Sequence, residues 1–229
     1  MGQTLYNCSV LTMITGNPFE TYAVDYDKWF ETAAGANLFQ LELDCLKKAV
    51  DTKKMRWLEV GVGSGRFACA LGITTGADPA PAMVKIASSR GIETITAPAE
   101  ALPFNDASFD GVLISCAICF VQNPTQALVE CHRVLKEGGQ LVIGFIPSDS
   151  RWGEYHAQRG KEGNPFYAAA RFYSSAKLRR LTERNGFICN AGYGCMLPSP
   201  DAQLDNDGLH RKAGMDKGFM VLSFYKKNI

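Results

Sequence analysis

Five short apolar runs recur along the chain, at 55–60, 74–77, 94–97, 111–115 and 140–146. Each is nearly continuous in apolar character, the pattern of strands covered on both faces. Between them, 65–72, 80–90 and 123–136 carry apolar residues at helical spacing. A β-α-β-α alternation of this kind predicts an α/β fold, a parallel sheet with helices on both faces. The KEGG tetrapeptide at 136–139 reads as a helix stop and a turn before the fifth strand.

The flanks differ. Residues 18–50 read as helical, with Phe30, Leu38, Leu41, Leu46 and Val50 at helix-like intervals. Residues 147–173 mix Pro, Gly, charge and aromatics without a clear period. A helix resumes after Ser174 or Ser175, either of which suits an N-cap, and stops at Gly186. Two late runs, 188–195 and 218–225, are joined by a polar, turn-rich segment and read as an antiparallel pair closing the sheet. The organisation expected is one domain over 1–229, with an N-terminal helical lid at 17–50 and a substrate-side insertion at 147–173.

Composition narrows the function. The length and the 46% hydrophobic content suit one full core. With 24 basic and 23 acidic side chains, the net charge of +1 gives no bias toward nucleic acid or a membrane surface. The start lacks a basic stretch followed by a long apolar core, and no run approaches the ~20 residues that span a bilayer, so a cytoplasmic protein is expected. The 8 cysteines are scattered, as for reduced thiols. Cys116 and Cys119 form a CxxC without a second pair at zinc spacing. Two small residues at the end of a buried strand are the plainer reading, and no metal is expected.

The chemistry concentrates in RWLEVGVGSGRFACALG, 56–72, where a strand runs into an acid and three glycines at every second position. Such a turn lets the backbone approach a ligand closely. A phosphate loop would need a Lys that is absent. For the dinucleotide fingerprint, the third glycine falls on Arg66 in one alignment and on Ala68 in the other, and the second keeps a dinucleotide open. Further along, Asp78 ends the second strand, where a carboxylate either accepts from two ribose hydroxyls or caps the next helix. AEALPF follows at 99–104, then SFD, then the helix and turn leading to the fifth strand.

This ordered series resembles the class I S-adenosylmethionine (SAM) dependent methyltransferases, in the branch with a methyltransferase-11-type domain that includes the quinone-methylating enzymes. The resemblance covers about 18–146, with FYxxARFYS at 166–174. It implies a Rossmann-like class I methyltransferase fold, mostly parallel and seven-stranded with an antiparallel last strand. It also implies SAM as cofactor, leaving S-adenosylhomocysteine. The matching positions imply that Glu59 and the backbone of Gly61, Val62 and Gly63 hold the methionine end. Asp78 would hold the ribose, and Pro79 or Met83 would pack on the adenine. Ala99 and Glu100 would lie at the adenine rim, and Ser115, Cys116 and Ile118 would face cofactor and substrate. Relatives carry Gly-Asp-Ala-Glu where this chain has Ala97, Pro98, Ala99 and Glu100, so backbone or Glu100 must supply the adenine contact. A Tyr-Asp-x-Trp-Phe lid in relatives implies contacts from Tyr26 and Trp29, against plain packing for Phe30.

Methyl transfer from a sulfonium is a direct displacement, so alignment and exclusion of water matter more than a catalytic dyad. The acceptor wall is expected from Tyr22, Trp152, Tyr155, Phe166 and Arg171, with Tyr167, Phe172 and Tyr173 nearby. His156 is the candidate base because its ordinary pKa lies near neutrality, against a solvated loop histidine. His132 reads as structural, and His210 sits in a polar loop. Arg151, Arg159 and Arg171 suit an anionic acceptor or plain surface charge. The expected partner is a small-molecule acceptor, with neither nucleic acid nor membrane, and the protein acts as a monomer or homodimer. A nicotinamide-dependent oxidoreductase and a non-catalytic SAM-binding protein are the alternatives.

Overall fold

Side chains of adjacent strand residues go to opposite faces of the sheet. Val112 and Ile114 join one apolar cluster while Leu113 joins another. Leu141 and Ile143 repeat this split with Val142. A sheet apolar on both faces must be sandwiched between helices, and it is. The computed structural model describes residues 16–53, 55–200 and 215–227. Cys8 and His210 lie outside them.

The N-terminal part forms α1 (Pro18–Thr21), α2 (Ala23–Trp29) and α3 (Ala33–Leu46). The alternating half follows as β1 (Trp57–Val60), α4 (Arg66–Leu71), β2 (Thr75–Asp78), α5 (Pro81–Ser89), β3 (Glu93–Thr96), β4 (Phe109–Ser115), α6 (Pro124–Val134) and β5 (Leu135–Phe145). The chain closes with α7 (Arg151–Lys161), α8 (Ser175–Arg184), β6 (Phe187–Pro198) and β7 (Met215–Lys226). The seven strands are ordered β3-β2-β1-β4-β5-β7-β6. The first five are parallel; β7 runs antiparallel between β5 and β6. The fold is thus the Rossmann-like, mostly parallel sheet with an antiparallel last strand.

Three local expectations are corrected. The KEGG turn does not precede β5 but lies within its irregular opening, where Leu135 already pairs with Phe109 and the register then shifts. The 94–97 run is not covered on both faces: β3 is an edge strand and mostly exposed. The 147–173 segment is not aperiodic loop, because 151–161 is helical. Ser150 caps that helix by accepting from the Gly153 amide at 3.0 Å. Its face holds Gly153 and His156, too few apolar residues to show a period in sequence.

The remaining geometry aims the carboxyl ends of β1, β2 and β4 at one region. Gly111 of β4 lies against Trp57 of β1, where an added Cβ would sit 2.4 Å from the indole. The helix α3 packs on α4, β6 and β7, while α1 packs on α5. The N-terminal helices therefore bridge the two ends of the sheet above the glycine turn.

Candidate cofactor and acceptor site

The turn after β1 is left-handed at Gly61, Gly63 and Gly65, with φ of 73°, 52° and 81°. Their surroundings differ. A Cβ on Gly61 would lie 2.4 Å from the Ala117 Cβ, and one on Gly65 would lie 2.5 Å from Ile92 Cδ1. A Cβ on Gly63 would meet nothing within 4 Å. Two of the glycines are therefore required by packing, and the middle one opens onto space that a ligand can use. The Val62 side chain is buried against Gly76, so only its backbone can face a ligand.

Two carboxyls flank this opening. Glu59 is 1% exposed, and its Oε2 has no hydrogen-bond partner. Burial, and secondarily the charge of Asp78, push its pKa well up. An unpartnered buried carboxyl oxygen is costly unless a ligand completes it. Asp78 is also buried; its Oδ2 accepts from the Gly63 amide at 2.9 Å and its Oδ1 from the Ala80 amide at 2.9 Å. Asp78 thus fixes both the glycine turn and the start of α5, and each oxygen keeps a lone pair for a ribose hydroxyl. Burial raises its pKa despite those two bonds.

Other expected cofactor contacts are redistributed. Pro79 is exposed, whereas Met83 is fully buried beneath Ala23 and Ala80, so Pro79 is the one open to an adenine ring. Ala99 lies in the core cluster. Glu100 is tied down, its Oε1 accepting from the Asn123 amide at 2.9 Å. Arg133 donates to the carbonyls of Leu102 and Phe104, at 2.8 and 2.7 Å, so α6 holds the AEALPF turn rigid. Ser115 is buried with its Oγ unpartnered.

Beside the glycine turn lies a cavity of about 150 Å³. Its lining includes Tyr26, Trp29, Cys116 and Ile118 from the expected cofactor set, and Trp152, His156 and Phe166 from the expected acceptor wall. The ring of Phe166 sits 5.2 Å from Phe19 and 5.7 Å from Tyr26, centroid to centroid, so lid and insertion meet there. Tyr22 touches Phe166 from outside the lining, at 6.1 Å. Two expected wall residues turn away: Tyr155 is 39% exposed, and Arg171 is exposed and enters only through its amide, which donates to the Cys119 carbonyl.

The near-neutral pKa expected for His156 is overturned. The ring is 7% exposed, lies 4.2 Å from Tyr167 centroid to centroid, and leaves Nδ1 unpartnered. Burial, then the charge of Arg159, lowers its pKa to about 4. The ring is neutral at physiological pH and a weak base. It is not a solvated loop residue either, because it lies on α7. His132 packs at 5.4 Å from Phe187, as a structural residue does. The CxxC thiols face the cavity, and burial drives Cys119 up to about 12, far from the thiolate that redox or metal chemistry needs.

Two features escaped the sequence. Glu42 of α3 lines the cavity, on the face shared with Leu38 four residues earlier. Its signal was a single acid inside an apolar stripe. Asp27 of α2 grips Arg66 and Arg90, both at 2.7 Å. Nothing in linear spacing joins those three.

Comparison with known proteins gives three kinds of match. A methyltransferase-domain family model matches residues 58–143. An uncharacterized protein of Mycobacterium tuberculosis is 36% identical over 203 residues, which is 88% of this chain and 71% of that one. A ubiquinone/menaquinone biosynthesis C-methyltransferase of Geobacter is 40% identical over 103 residues, 38% of this chain and 44% of that one. A crystal structure from Thermotoga maritima, described as a SAM-dependent methyltransferase and possible histamine N-methyltransferase, superposes with a TM-score of 0.74 at 33% identity. It covers 91% of this chain and 98% of that one.

Proposed function

Because this chain belongs to the SAM-dependent methyltransferases, we propose that it catalyses methyl transfer from SAM to a small molecule seated in the aromatic cavity. The observation that carries this reading is the open left-handed Gly63 flanked by Glu59 and Asp78, next to a chamber walled by rings. Glu59, with its unpartnered Oε2, suits the cationic amino end of the cofactor. Asp78 suits the ribose hydroxyls, Pro79 the adenine face, and the backbone of Gly61 and Gly63 the methionine carboxylate end. When bound, the cofactor supplies a sulfonium methyl open to direct displacement.

The chain's own part is positioning and exclusion of water. Tyr26 and Trp29 cover the junction between the glycine turn and the cavity, while Trp152, Phe166 and Tyr167 hold the acceptor. Trp152 is itself fixed, its Nε1 donating to the Pro198 carbonyl at 2.7 Å. We assign His156 to the wall and not to proton transfer. The Geobacter protein is named for quinone methylation and the Thermotoga protein is described as a possible histamine N-methyltransferase, and both descriptions support an acceptor of small-molecule size.

Calorimetric titration with S-adenosylhomocysteine and with NADH tests the cofactor. Tight binding of the first and none of the second is expected; the reverse refutes the reading in favour of an oxidoreductase. Consumption of SAM in the presence of a fractionated metabolite extract then separates an enzyme from a protein that only binds the cofactor.

A further inference from the structure

The cavity holds a carboxyl that neither the fold nor the cofactor explains. Glu42 lines it from α3, together with rings from α1, α2, α7 and the segment after α7. It is the lining's one acid, and the lining includes no lysine or arginine. Among the described residues, no hydrogen bond or ion pair engages its carboxylate. Burial alone pushes its pKa to about 8, with no cation nearby to offset it. A leucine there would pack without that cost, so the carboxyl opposes folding unless something enters to use it.

The other titratable groups facing this space are neutral near physiological pH. Burial, and then charges including that of Glu42, raises the Tyr26 and Tyr167 phenols and the Cys116 thiol. Burial also raises Cys119, while it lowers His156. Glu42 is thus the one cavity group whose charge state can change near neutrality. The same cavity is lined by Tyr26, Trp29 and Trp152, aromatic rings of the kind that attract a desolvated cation.

We propose, on the strength of the methyltransferase reading above, that the acceptor is a small amine entering as its ammonium ion, and that Glu42 binds this cation and takes its proton. In that step an N–H bond breaks with its electron pair left on nitrogen. The ammonium binds the ionised form of Glu42, the proton carried by the acid in the empty cavity having passed to water; an O–H bond then forms on that carboxylate, and the two charges cancel. The freed lone pair is the nucleophile that direct displacement requires. The proton passes from Glu42 to water when product leaves. A carboxylic acid acceptor fits badly, because the lining offers no cation to balance its charge. A neutral alcohol gains a hydrogen bond and forgoes the cation–ring attraction. A cavity of about 150 Å³ has room for one aromatic ring, since engineered cavities of about this size hold benzene.

The test is calorimetry on the full chain at pH 7.5 with S-adenosylhomocysteine saturating, using 2-phenylethylamine, 2-phenylethanol and 3-phenylpropionate as probes. The amine is expected to bind about tenfold tighter than the alcohol, the gap given by a hydrogen bond to a charged group. The carboxylate is expected not to bind measurably. In Glu42→Gln the preference for the amine is lost while S-adenosylhomocysteine affinity holds and the Tm of the ligand-free protein does not fall, which separates this proposal from failure of the cofactor site. Absent amine binding, equal binding of amine and alcohol, or a preference unchanged in Glu42→Gln overturns it. So does a Glu42→Gln variant that loses S-adenosylhomocysteine and keeps the amine preference, since Glu42 would then serve the sulfonium side.

Discussion

The carboxylate of Asp27 and the guanidinium of Arg66 meet at 2.7 Å, joining the lid helix α2 to the first residue of α4. The same carboxylate holds Arg90 at 2.7 Å, and Arg90 donates to the Ser64 carbonyl inside the glycine turn at 2.6 Å. The α2 helix is therefore fastened to the glycine turn, the proposed seat of the cofactor. Burial alone would raise the Asp27 pKa, but the bonds from Arg66, Ser64 and Arg90 outweigh it and hold the carboxyl at about 2. Because the folded value lies below the unfolded 3.8, the stabilisation is present above pH 4 and is lost as pH falls toward 2. Asp27→Asn should weaken S-adenosylhomocysteine binding roughly three- to tenfold and flatten the acid limb of stability, read from urea midpoints between pH 5 and 2.5.

Gly63→Ala should separate binding from folding. The left-handed φ costs an alanine roughly 1–2 kcal/mol, and no neighbour resists its methyl. The fold should survive while S-adenosylhomocysteine affinity falls at least about tenfold, because the methyl occupies ligand space. Gly61→Ala should instead lose stability first, since its methyl meets Ala117. Normal affinity in Gly63→Ala would falsify the placement of the cofactor.

Glu59→Gln should move stability and affinity in opposite directions. The folded pKa is raised, so stabilisation is present below the unfolded 4.5 and is lost as pH rises above it. Removing the ionisable group should raise the Tm of the ligand-free protein at pH 7.5, by about 2–4 °C for each kcal/mol recovered. S-adenosylhomocysteine should bind about tenfold more weakly, for want of a charged partner. A thermal shift series with and without ligand reads both effects.

How far the sequence spoke depended on whether a feature is local. The glycine turn, Asp78 at the end of β2 and the order of strands and helices follow from spacing within a few residues, and they stand where expected. The α7 helix was invisible because it is polar on most of its surface and shows few apolar positions. Tyr155 and Arg171 were placed in the wall because aromatic and basic types suit one, but helix phase and a loop amide decide which way each faces. The clamp around Asp27 joins residues 39 and 63 positions away, and no linear pattern encodes that. Glu42 was visible as an acid in an apolar stripe, yet without the rings opposite it nothing marked it as more than a surface residue.

His156→Phe should leave the pH dependence of turnover unchanged between 6 and 8, because the wild-type ring is already neutral there. Its folded pKa of about 4 lies below the unfolded 6.5, so the wild type loses stability as pH falls through that interval. The variant should lose less, with a gap of roughly 2–4 kcal/mol between pH 7 and 4. Chemical denaturation at the two pH values provides the measurement.

The Ala117 contact under Gly61 splits the molecule's labour along a seam. On one side lie the ends of β1 and β2, the proposed seat of the methyl donor. On the other, α1, α2, α3 and α7 line the cavity proposed for the acceptor. Exchanging the lid and the 147–173 segment for those of a relative should therefore re-address the enzyme to a different acceptor while its methyl donor stays the same.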